Sequence, residues 1–137
     1  VGVGWEVDRE FSLKIYIAGS FVDQHALRKE AERLWVLGHA VTGTWIYETQ
    51  KPSEMSPIEF KKKLAIKDLC EVSMADLLIQ DNRQSSGGKN VEWGFGLGMF
   101  QHKLLWLVGE PTNVFQYLAD KQFENWDSLV DYLQEKK

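Results

Sequence analysis

Two carboxylates and one glycine-rich loop are the parts of this 137-residue sequence best suited to chemistry. Asp68 falls on the inward-facing stripe of a predicted helix, where a carboxylate is costly unless it is paired or hydrogen-bonded. Glu92 follows residues 85–91, in which two adjacent glycines let backbone amides approach a ligand closely. In the first turn of a helix that begins there, Glu92 is expected to stay ionised near neutral pH, which suits a nucleophile. On these residues alone, an Asp68 bonded to Lys61 or to backbone and an ordinary first-turn Glu92 remain alternatives.

Metal and cofactor chemistry find no support in the sequence. The three histidines lie on different predicted elements without carboxylates at ligand spacing: His25, His39 and His102. Neither the glycine fingerprint of dinucleotide-binding proteins nor the phosphate loop that ends in Gly-Lys-Ser/Thr is present. Cys70 is the one cysteine, which excludes an internal disulfide, and its apolar neighbours predict a buried position. We therefore expect no metal and no cofactor.

Composition and charge exclude several classes of function. With 44% hydrophobic and 26% charged residues, the chain is typical of one globular domain rather than of a disordered protein. A net charge of −4 gives no general attraction to nucleic acid or to an anionic membrane. No apolar run is long enough to span a bilayer, and residues 1–12 lack the layout of a signal peptide, so a cytoplasmic location is expected.

The elements that must position these residues alternate between strand and helix. Short apolar, β-branched stretches predict strands, and apolar residues at helical spacing predict helices. Ser56, Pro57 and Glu59 form a capping box that announces one of the helices. We predict strands at 13–18, 41–47, 76–81 and 103–108 and a short strand near Phe123. Helices are predicted at 23–37, between the first two strands, at 57–75, between the second and third, and from Asp127 to the end. This alternation predicts a parallel sheet with helices on both faces and a ligand site beyond the carboxyl ends of its strands.

Residues 91–99 give conflicting signals. Large apolar residues alternate with Glu92 and three glycines, and this period of two is typical of a strand. As a helix, the segment would carry three unfavourable glycines, although Gly94 and Gly98 would then share a face that another helix could approach. Periodicity alone leaves both structures open.

Together these residues resemble the nucleoside 2-deoxyribosyltransferase family and its relatives, the 2'-deoxynucleoside 5'-phosphate N-hydrolases. The resemblance runs from Lys14 to the C-terminus through Ile-Tyr-Ile-Ala-Gly-Ser at 15–20, Asp68, Ser-Gly-Gly-Lys-Asn-Val-Glu-Trp-Gly at 86–94 and the Lys-Leu-Leu-Trp-Leu-Val strand at 103–108. It implies a helix over 88–101 and a flavodoxin-like three-layer α/β fold with a five-stranded parallel sheet in the order 2-1-3-4-5. Residues 13–137 would form this domain, preceded by an N-terminal extension of unknown role at 1–12.

The resemblance also implies roles for individual residues. Glu92 would attack the anomeric carbon of deoxyribose, Tyr16 would hold the Glu92 carboxylate, and Asp68 would supply or relay a proton to the departing base. Six tryptophans and four tyrosines include rings that could stack on the base, with core packing or a subunit interface as the alternative. The expected substrate-binding residues are Gly19, Ser20, Trp45, Tyr47, Ser86 (beside the 5' end of the sugar), Gly87, Gly88, Trp93 and Asn113.

The activity expected from the resemblance is cleavage of the N-glycosidic bond of a 2'-deoxyribonucleoside through a glycosyl-Glu92 intermediate, with transfer of the sugar to another nucleobase. Hydrolysis of a (deoxy)nucleoside 5'-monophosphate and a non-catalytic nucleotide-binding module are the alternatives. The N-hydrolases carry a basic, glycine-containing loop where this chain has Phe-Val-Asp at 21–23, and Asp23 would repel a phosphate. The expected partners are a nucleoside or nucleotide, a free nucleobase, and further copies of the chain in a homodimer or larger oligomer, with Asn113 or Gln116 completing a neighbour's site. No nucleic acid or membrane partner is expected.

Overall fold

The computed structural model describes residues 12–48, 54–84, 87–99 and 103–136. Five parallel strands form one sheet in the order β2-β1-β3-β4-β5. The strands are β1 (Lys14–Ala18), β2 (Ala40–Val41), β3 (Leu77–Asp81), β4 (Leu104–Val108) and β5 (Lys121–Phe123). The α-helices are α1 (Gln24–Val36), α2 (Pro57–Met74), α3 (Gly87–Gly98) and α4 (Trp126–Glu135). The flavodoxin-like fold and strand order predicted from the sequence are confirmed.

The core lies between the sheet and two pairs of helices. Helix α1 contacts α4, and α2 contacts α3, which places the two pairs on opposite faces of the sheet because parallel crossovers are right-handed. Strand β3 is buried along its whole length, as expected for a central strand covered on both faces. Within the described part of the chain, no helix is long and apolar enough to cross a membrane.

The direction of the strand order reverses between β1 and β3, which pair directly in the middle of the sheet. From β1 the chain crosses to the β2 side, whereas from β3 it continues towards β4 and β5. A crevice opens at such a reversal, beyond the carboxyl ends of the two strands. Residues that follow β1 and β3 therefore border the position where a ligand is expected.

The predicted strand at 41–47 is wrong beyond its first residue. Strand β2 ends at Val41, and Trp45–Tyr47 form a short 3-10 helix. The Thr42 backbone N–H still donates to the Ile15 carbonyl of β1 at 2.8 Å, but from Thr44 onward backbone groups of this segment bond to side chains. Gln24 of α1 donates from its Nε2 to the carbonyls of Trp45 at 2.6 Å and Glu48 at 2.8 Å. The β-branched and aromatic composition reflects packing here, not strand geometry.

Helix α3 resolves the conflict at 91–99 in favour of the helix that the resemblance implied, and the period-two pattern misleads. No part of the described chain makes a close approach at Gly94 or Gly98, because nothing in it lies within 4 Å of a Cβ built at either position. The glycine that meets the sheet is Gly96, whose Cβ would lie 2.9 Å from Leu105 Cδ2 and 3.6 Å from Leu78 Cδ1. Gly96 thus lets α3 pack closely on β3 and β4.

Helix α2 confirms one prediction and corrects another. The capping box is present, since the Glu59 backbone N–H donates to Ser56 Oγ at 3.1 Å and the Ser56 N–H donates to Glu59 Oε1 at 3.2 Å. Cys70, predicted to be buried, is exposed. Only a narrow stripe of α2 is buried, with Glu71 and Val72 as its buried members, so apolar neighbours in the sequence do not bury Cys70.

Two glycines of α3 provide a matched pair for testing this packing. We expect Gly94→Ala to stabilise the protein by about 0.5–1 kcal/mol, because the exposed site gains helix propensity without a clash. Gly96→Ala should be less stable than Gly94→Ala by about 1–3 kcal/mol, since its new methyl group overlaps Leu105. Urea unfolding of both variants and the parent measures this difference. Equal stability of the two variants would contradict the close approach of α3 at Gly96.

Candidate active site

A hydrogen bond joins Tyr16 in the middle of β1 to Glu92 on α3. The Tyr16 hydroxyl donates to Glu92 Oε2 at 2.7 Å. The Tyr16 ring is fully buried, and Gly43 makes room for it, because a Cβ at Gly43 would lie 2.9 Å from Tyr16 Cε2. Sequence reasoning missed Gly43, although an isolated glycine in a β-branched, aromatic stretch is a signal of close backbone approach. The central strand and the glycine behind it thus hold the phenol on the carboxylate.

Asp68 of α2 faces the same cavity as Glu92. The cavity measures about 190 Å³ and is lined by Gly19, Phe21, Trp45, Glu48, Leu64, Asp68, Gly88, Lys89 and Glu92. Asp68 Oδ1 is buried and has no hydrogen-bond partner among the described residues, so pairing with Lys61 or with backbone does not account for this oxygen. Three larger cavities, of about 510, 580 and 560 Å³, are lined by neither Asp68 nor Glu92. Side-chain chemistry, not volume, therefore marks this cavity as the candidate site.

Burial sets the protonation of the site. It raises the pKa of Glu92 to about 7; the Tyr16 hydrogen bond lowers this pKa, and the charges of Asp68 and Glu71 raise it. Burial likewise raises the pKa of Asp68 to about 6, against the lowering effect of Lys67. The pKa of Tyr16 is raised far above its usual value, by burial first and then by the charge of Glu92. The phenol therefore stays protonated and remains a hydrogen-bond donor.

The expectation that Glu92 is held ionised by the first turn of a helix is wrong. Helix α3 begins at Gly87, so Glu92 lies more than a turn inside it. The effect of a helix terminus on charge fades within the first turn, and desolvation dominates instead. Near neutral pH the site holds both protonated and ionised Glu92.

The expected substrate-binding residues divide into two groups. Gly19, Trp45 and Gly88 line the cavity together with Asp68 and Glu92. Trp45 is fixed there by its indole N–H, which donates to the Ile17 carbonyl at 2.7 Å. Gly19 allows close packing after β1, because a Cβ there would lie 2.7 Å from Leu27 Cδ1.

The remaining expected residues do not line this cavity. Ser20 is buried beside it, and its Oγ has no hydrogen-bond partner among the described residues. Gly87 is exposed at the start of α3, and Tyr47 is exposed with Arg28 over its ring at 5.8 Å. Trp93 and Asn113 line a separate cavity of about 560 Å³. Ser86 lies outside the described residues.

Trp93 and Asn113 also have structural partners that explain their positions. The buried Trp93 indole N–H donates to the Phe115 carbonyl at 3.0 Å. Asn113 Oδ1 accepts from the Phe115 backbone N–H at 2.9 Å and caps the 3-10 helix Val114–Leu118. Because neighbouring residues on a helix point in different directions, Trp93 faces away from the cavity that Glu92 enters.

Sequence reasoning missed four residues of the cavity wall. Phe21 is 62% exposed, and its position three residues after a predicted strand, at the carboxyl end where ligands bind, is a signal that could have found it. Glu48 forms an ion pair with Lys67 at 2.7 Å. The buried Lys89 ammonium donates to the carbonyls of Asp81 (2.9 Å) and Gln84. The fourth residue, Leu64, lies on α2 one helical turn before Asp68.

The described residues include no group of three or more His, Cys, Asp and Glu side chains that could hold a metal ion. The cavity wall instead combines three carboxyl groups with two aromatic rings, those of Phe21 and Trp45. An arrangement with two acids of raised pKa in one cavity suits proton transfer combined with attack on an electrophilic carbon.

Comparison with solved structures finds close matches of fold. A 2-deoxyribosyltransferase from the psychrotolerant bacterium Bacillus psychrosaccharolyticus matches with a TM-score of 0.69 at 23% identity, over 87% of this chain and 91% of that one. The chain has the fold of a 2-deoxyribosyltransferase. A conserved protein from Enterococcus faecalis V583 matches with a TM-score of 0.66 at 13% identity, over 93% and 100%. A CMP N-glycosidase from Clostridium botulinum matches with a TM-score of 0.52 at 17% identity, over 89% and 99%.

The structural match confirms the fold that the sequence resemblance implied. No family model and no curated protein matches the chain. In this deoxyribosyltransferase fold, the cavity lined by Asp68 and Glu92 lies at the crevice between β1 and β3, where ligands of doubly wound sheets bind. The roles of these residues rest on the geometry of this chain.

Replacing Glu92 tests the effect of its burial on stability. The folded-state pKa of about 7 exceeds the ordinary 4.5, so the folded state binds more protons between these values and stability falls as pH rises through them. Above pH 7 the full penalty of the buried charge remains. We expect Glu92→Gln, which still accepts from Tyr16, to stabilise the protein by roughly 2 kcal/mol at pH 8 and to have little effect at pH 4.

Urea unfolding at the two pH values measures this effect, with the exposed Glu32 of α1 replaced by Gln as the control. Glu32→Gln should change stability by a few tenths of a kcal/mol at either pH. If Glu92→Gln destabilised the protein at pH 8, Glu92 would not be a strained, desolvated acid.

Proposed function

We propose that the protein cleaves the N-glycosidic bond of a 2'-deoxyribonucleoside and transfers the deoxyribosyl group to another nucleobase. The observation that carries this proposal is the 2.7 Å hydrogen bond from Tyr16 to Glu92, in a cavity shared with Asp68. Retaining glycosidases need one carboxylate that attacks the anomeric carbon and one acid that serves the leaving group. The likeness of fold to a 2-deoxyribosyltransferase supports the same chemistry.

The proposed reaction has two displacement steps. Ionised Glu92 attacks C1' of the sugar and forms a glycosyl ester, while the C1'–N bond breaks and the departing base takes a proton from Asp68. A second base then attacks C1', the ester bond breaks, and the proton lost by the incoming base returns to Asp68. Because Tyr16 donates to Oε2, Oε1 is the oxygen that attacks. The negative charge of Glu92 stabilises the cationic, oxocarbenium-like transition state.

The cavity wall favours an unphosphorylated substrate. Its charged side chains include three acids, Glu48, Asp68 and Glu92, which repel a dianionic phosphate. Lys89 is the cation of the wall, but its ammonium is directed at the backbone carbonyls of Asp81 and Gln84. The rings of Phe21 and Trp45 offer apolar faces on which a nucleobase stacks.

Hydrolysis of a nucleoside 5'-monophosphate is the second candidate, favoured by the likeness of fold to a CMP N-glycosidase. In that reaction water takes the place of the second base, and the products are free base and sugar phosphate. A non-catalytic nucleotide-binding module is disfavoured, because a binding site gains nothing from two desolvated acids beside the ligand.

We also propose that the protein works as a homo-oligomer. Apolar side chains are exposed on α3 and on the nearby 3-10 helix: Val91, Phe95, Val114, Phe115 and Tyr117. A monomer rarely exposes so many large apolar residues on neighbouring elements. Burial of this surface against a second copy would bring Asn113 to the interface.

Loss of the nucleophile tests the reaction directly. We expect Glu92→Ala to lower kcat by about 10³-fold or more while nucleoside affinity changes little, because covalent catalysis is lost and the base pocket remains. A deoxynucleoside, its monophosphate and a second free base are incubated with the protein, and the products are separated by chromatography. Glu32→Ala serves as the control for a change away from the cavity.

A nucleoside carrying the second base supports transfer, and free sugar or sugar phosphate supports the hydrolytic candidate. Wild-type turnover by Glu92→Ala would remove Glu92 from the reaction. Failure of the unaltered protein to act on any of these substrates would refute both catalytic candidates.

The pH dependence follows from the two acids. The reaction needs ionised Glu92 and protonated Asp68, whose pKa values are about 7 and about 6. Lowering the pH protonates Glu92, and raising the pH ionises Asp68. The plot of kcat/KM against pH should therefore be a narrow bell, with apparent pKa values near 6 and 7 that describe the coupled pair of acids and not either residue alone. Asp68→Asn should lower the rate throughout and abolish the falling limb. A flat profile from pH 5 to pH 8 in the unaltered protein would contradict these assignments.

A further inference from the structure

Glu71 is a buried acid that the proposed reaction does not use. It lies on α2, the helix that carries Asp68, and its side chain points to the segment after β2. The Thr44 backbone N–H donates to Glu71 Oε1 at 3.0 Å, and the Thr44 hydroxyl donates to Glu71 Oε2 at 2.9 Å. Both carboxylate oxygens of Glu71 therefore hold a single residue of the neighbouring turn.

The backbone of Glu71 also binds Thr42, on the other side of the same turn. The Thr42 hydroxyl donates to the backbone carbonyl of Glu71 at 3.1 Å. Glu71 thus bonds to the residues on either side of Gly43. Because Gly43 lies directly against the Tyr16 ring, the position of this turn determines the surface on which the ring rests. The next residue after Thr44 is Trp45, which forms part of the cavity wall.

Charged groups complete the clamp around Thr44. Lys67 donates to the Thr44 hydroxyl oxygen at 2.7 Å and pairs with Glu48 at 2.7 Å. Two charged residues of α2, one of each sign, therefore bind one threonine side chain. Charge-assisted hydrogen bonds are stronger and shorter than neutral ones, so this turn is held more firmly than its short 3-10 helix alone would allow.

The charge of Glu71 also reaches the reacting groups. After burial and the nearer groups, it contributes to raising the pKa of Tyr16, of Asp68 and of Glu92. The titratable and charged groups around Glu92 come from every element packed against it: Tyr16 on β1, Glu48 on the turn after β2, Lys67, Asp68 and Glu71 on α2, and Lys89 on α3. Among these groups, Glu71 is both charged and hydrogen-bonded directly to residues 42 and 44 of the turn that packs against Tyr16.

We propose that Glu71 is a positioning residue of the active site, a role that rests on the proposed function. It clamps residues 42–44 against the Tyr16 ring, keeps the phenol on Glu92, and adds a third negative charge to those of Asp68 and Glu92. It does not contact substrate. A residue that merely anchored the fold would affect stability but neither the pH profile nor the turnover of the folded molecules.

Three variants separate the clamp from the charge. Glu71→Gln keeps the shape and one acceptor oxygen for Thr44 but removes the charge. Thr44→Val removes the hydroxyl hydrogen bond and keeps the charge of Glu71. Glu71→Ala removes both, and Glu32→Gln on the exposed face of α1 is the control. Thermal unfolding of each variant gives the fraction of folded molecules, and kcat is calculated per folded molecule.

Glu71→Ala should lower kcat about 10–100-fold and change KM less than about 3-fold. The reason is that the Tyr16–Glu92 geometry is lost, while the aromatic rings on which the base stacks remain. Glu71→Gln should recover most of that kcat and move the whole bell of kcat/KM to lower pH, since the repelling charge is gone. Thr44→Val should lower kcat without moving the bell. These three results together support the positioning role.

A second measurement does not depend on turnover. The Glu92 carboxyl carbon, followed by 13C NMR, should titrate at lower pH in Glu71→Gln than in the unaltered protein and in Glu32→Gln. An unchanged Glu92 titration in Glu71→Gln overturns the proposal, whether or not Glu71→Ala folds. So does folded Glu71→Ala with unaltered kcat. If the unaltered protein has no activity, the proposed function fails, whereas the titration still decides whether Glu71 acts on Glu92.

Discussion

The hydrogen bond between Tyr16 and Glu92 is the interaction on which the rest of the site depends. It joins a central strand to a helix, and because the phenol is fully buried and the carboxylate is desolvated, it is stronger than an exposed hydrogen bond. Gly96 follows Glu92 by one helical turn on the same face of α3, and its missing side chain lets that face pack closely on β3 and β4. The close packing of α3 on the sheet therefore helps to bring the Glu92 carboxylate within hydrogen-bond distance of Tyr16.

Desolvated acids are a local instability that the surrounding fold has to offset. Tyr16 lies in β1, which pairs with β2 and β3, and its ring is part of the main hydrophobic core. Asp68 lies in the middle of α2, whose start is fixed by a complete capping box. Tyr16 and Asp68 thus lie on elements anchored by strand pairing and by a complete cap, which helps to hold desolvated groups in one geometry.

Much of this arrangement could be predicted from the sequence. The central strands are short, continuous apolar runs, and the capping box at Ser56 is a strong local signal, so pattern alone predicts most of the elements, whereas the helix that carries Glu92 is implied by the family resemblance. Asp68 and Glu92 are singled out from the residues themselves, because acids on inward stripes and near glycines break local rules, whereas the role of Tyr16 is implied only by the family resemblance. The placement of Asp68 and Glu92 in one cavity, with Tyr16 bonded to Glu92, follows from the topology, which no single segment encodes.

The remaining features depend on tertiary contacts that sequence patterns do not contain. From Thr44 onward, the segment after β2 has strand-like residues but bonds to the side chains of Gln24 and Glu71 instead of to a strand. Which of several glycines in α3 meets the sheet depends on the rotation of the helix, and Gly96 rather than Gly94 was the outcome. Likewise, the direction of Trp93 away from the cavity was fixed by a carbonyl in another segment, at Phe115.

The two outer strands are very short, with two residues in β2 and three in β5. Each border of the sheet therefore offers few unsatisfied amide and carbonyl groups to an approaching polypeptide. A strand of a neighbouring molecule could form few backbone hydrogen bonds with either edge of the sheet, so association by edge-to-edge strand pairing is disfavoured. Within the described part of the chain, contacts between copies are therefore expected to come from side chains on the helical layers, where shape and polarity can vary without extending the sheet.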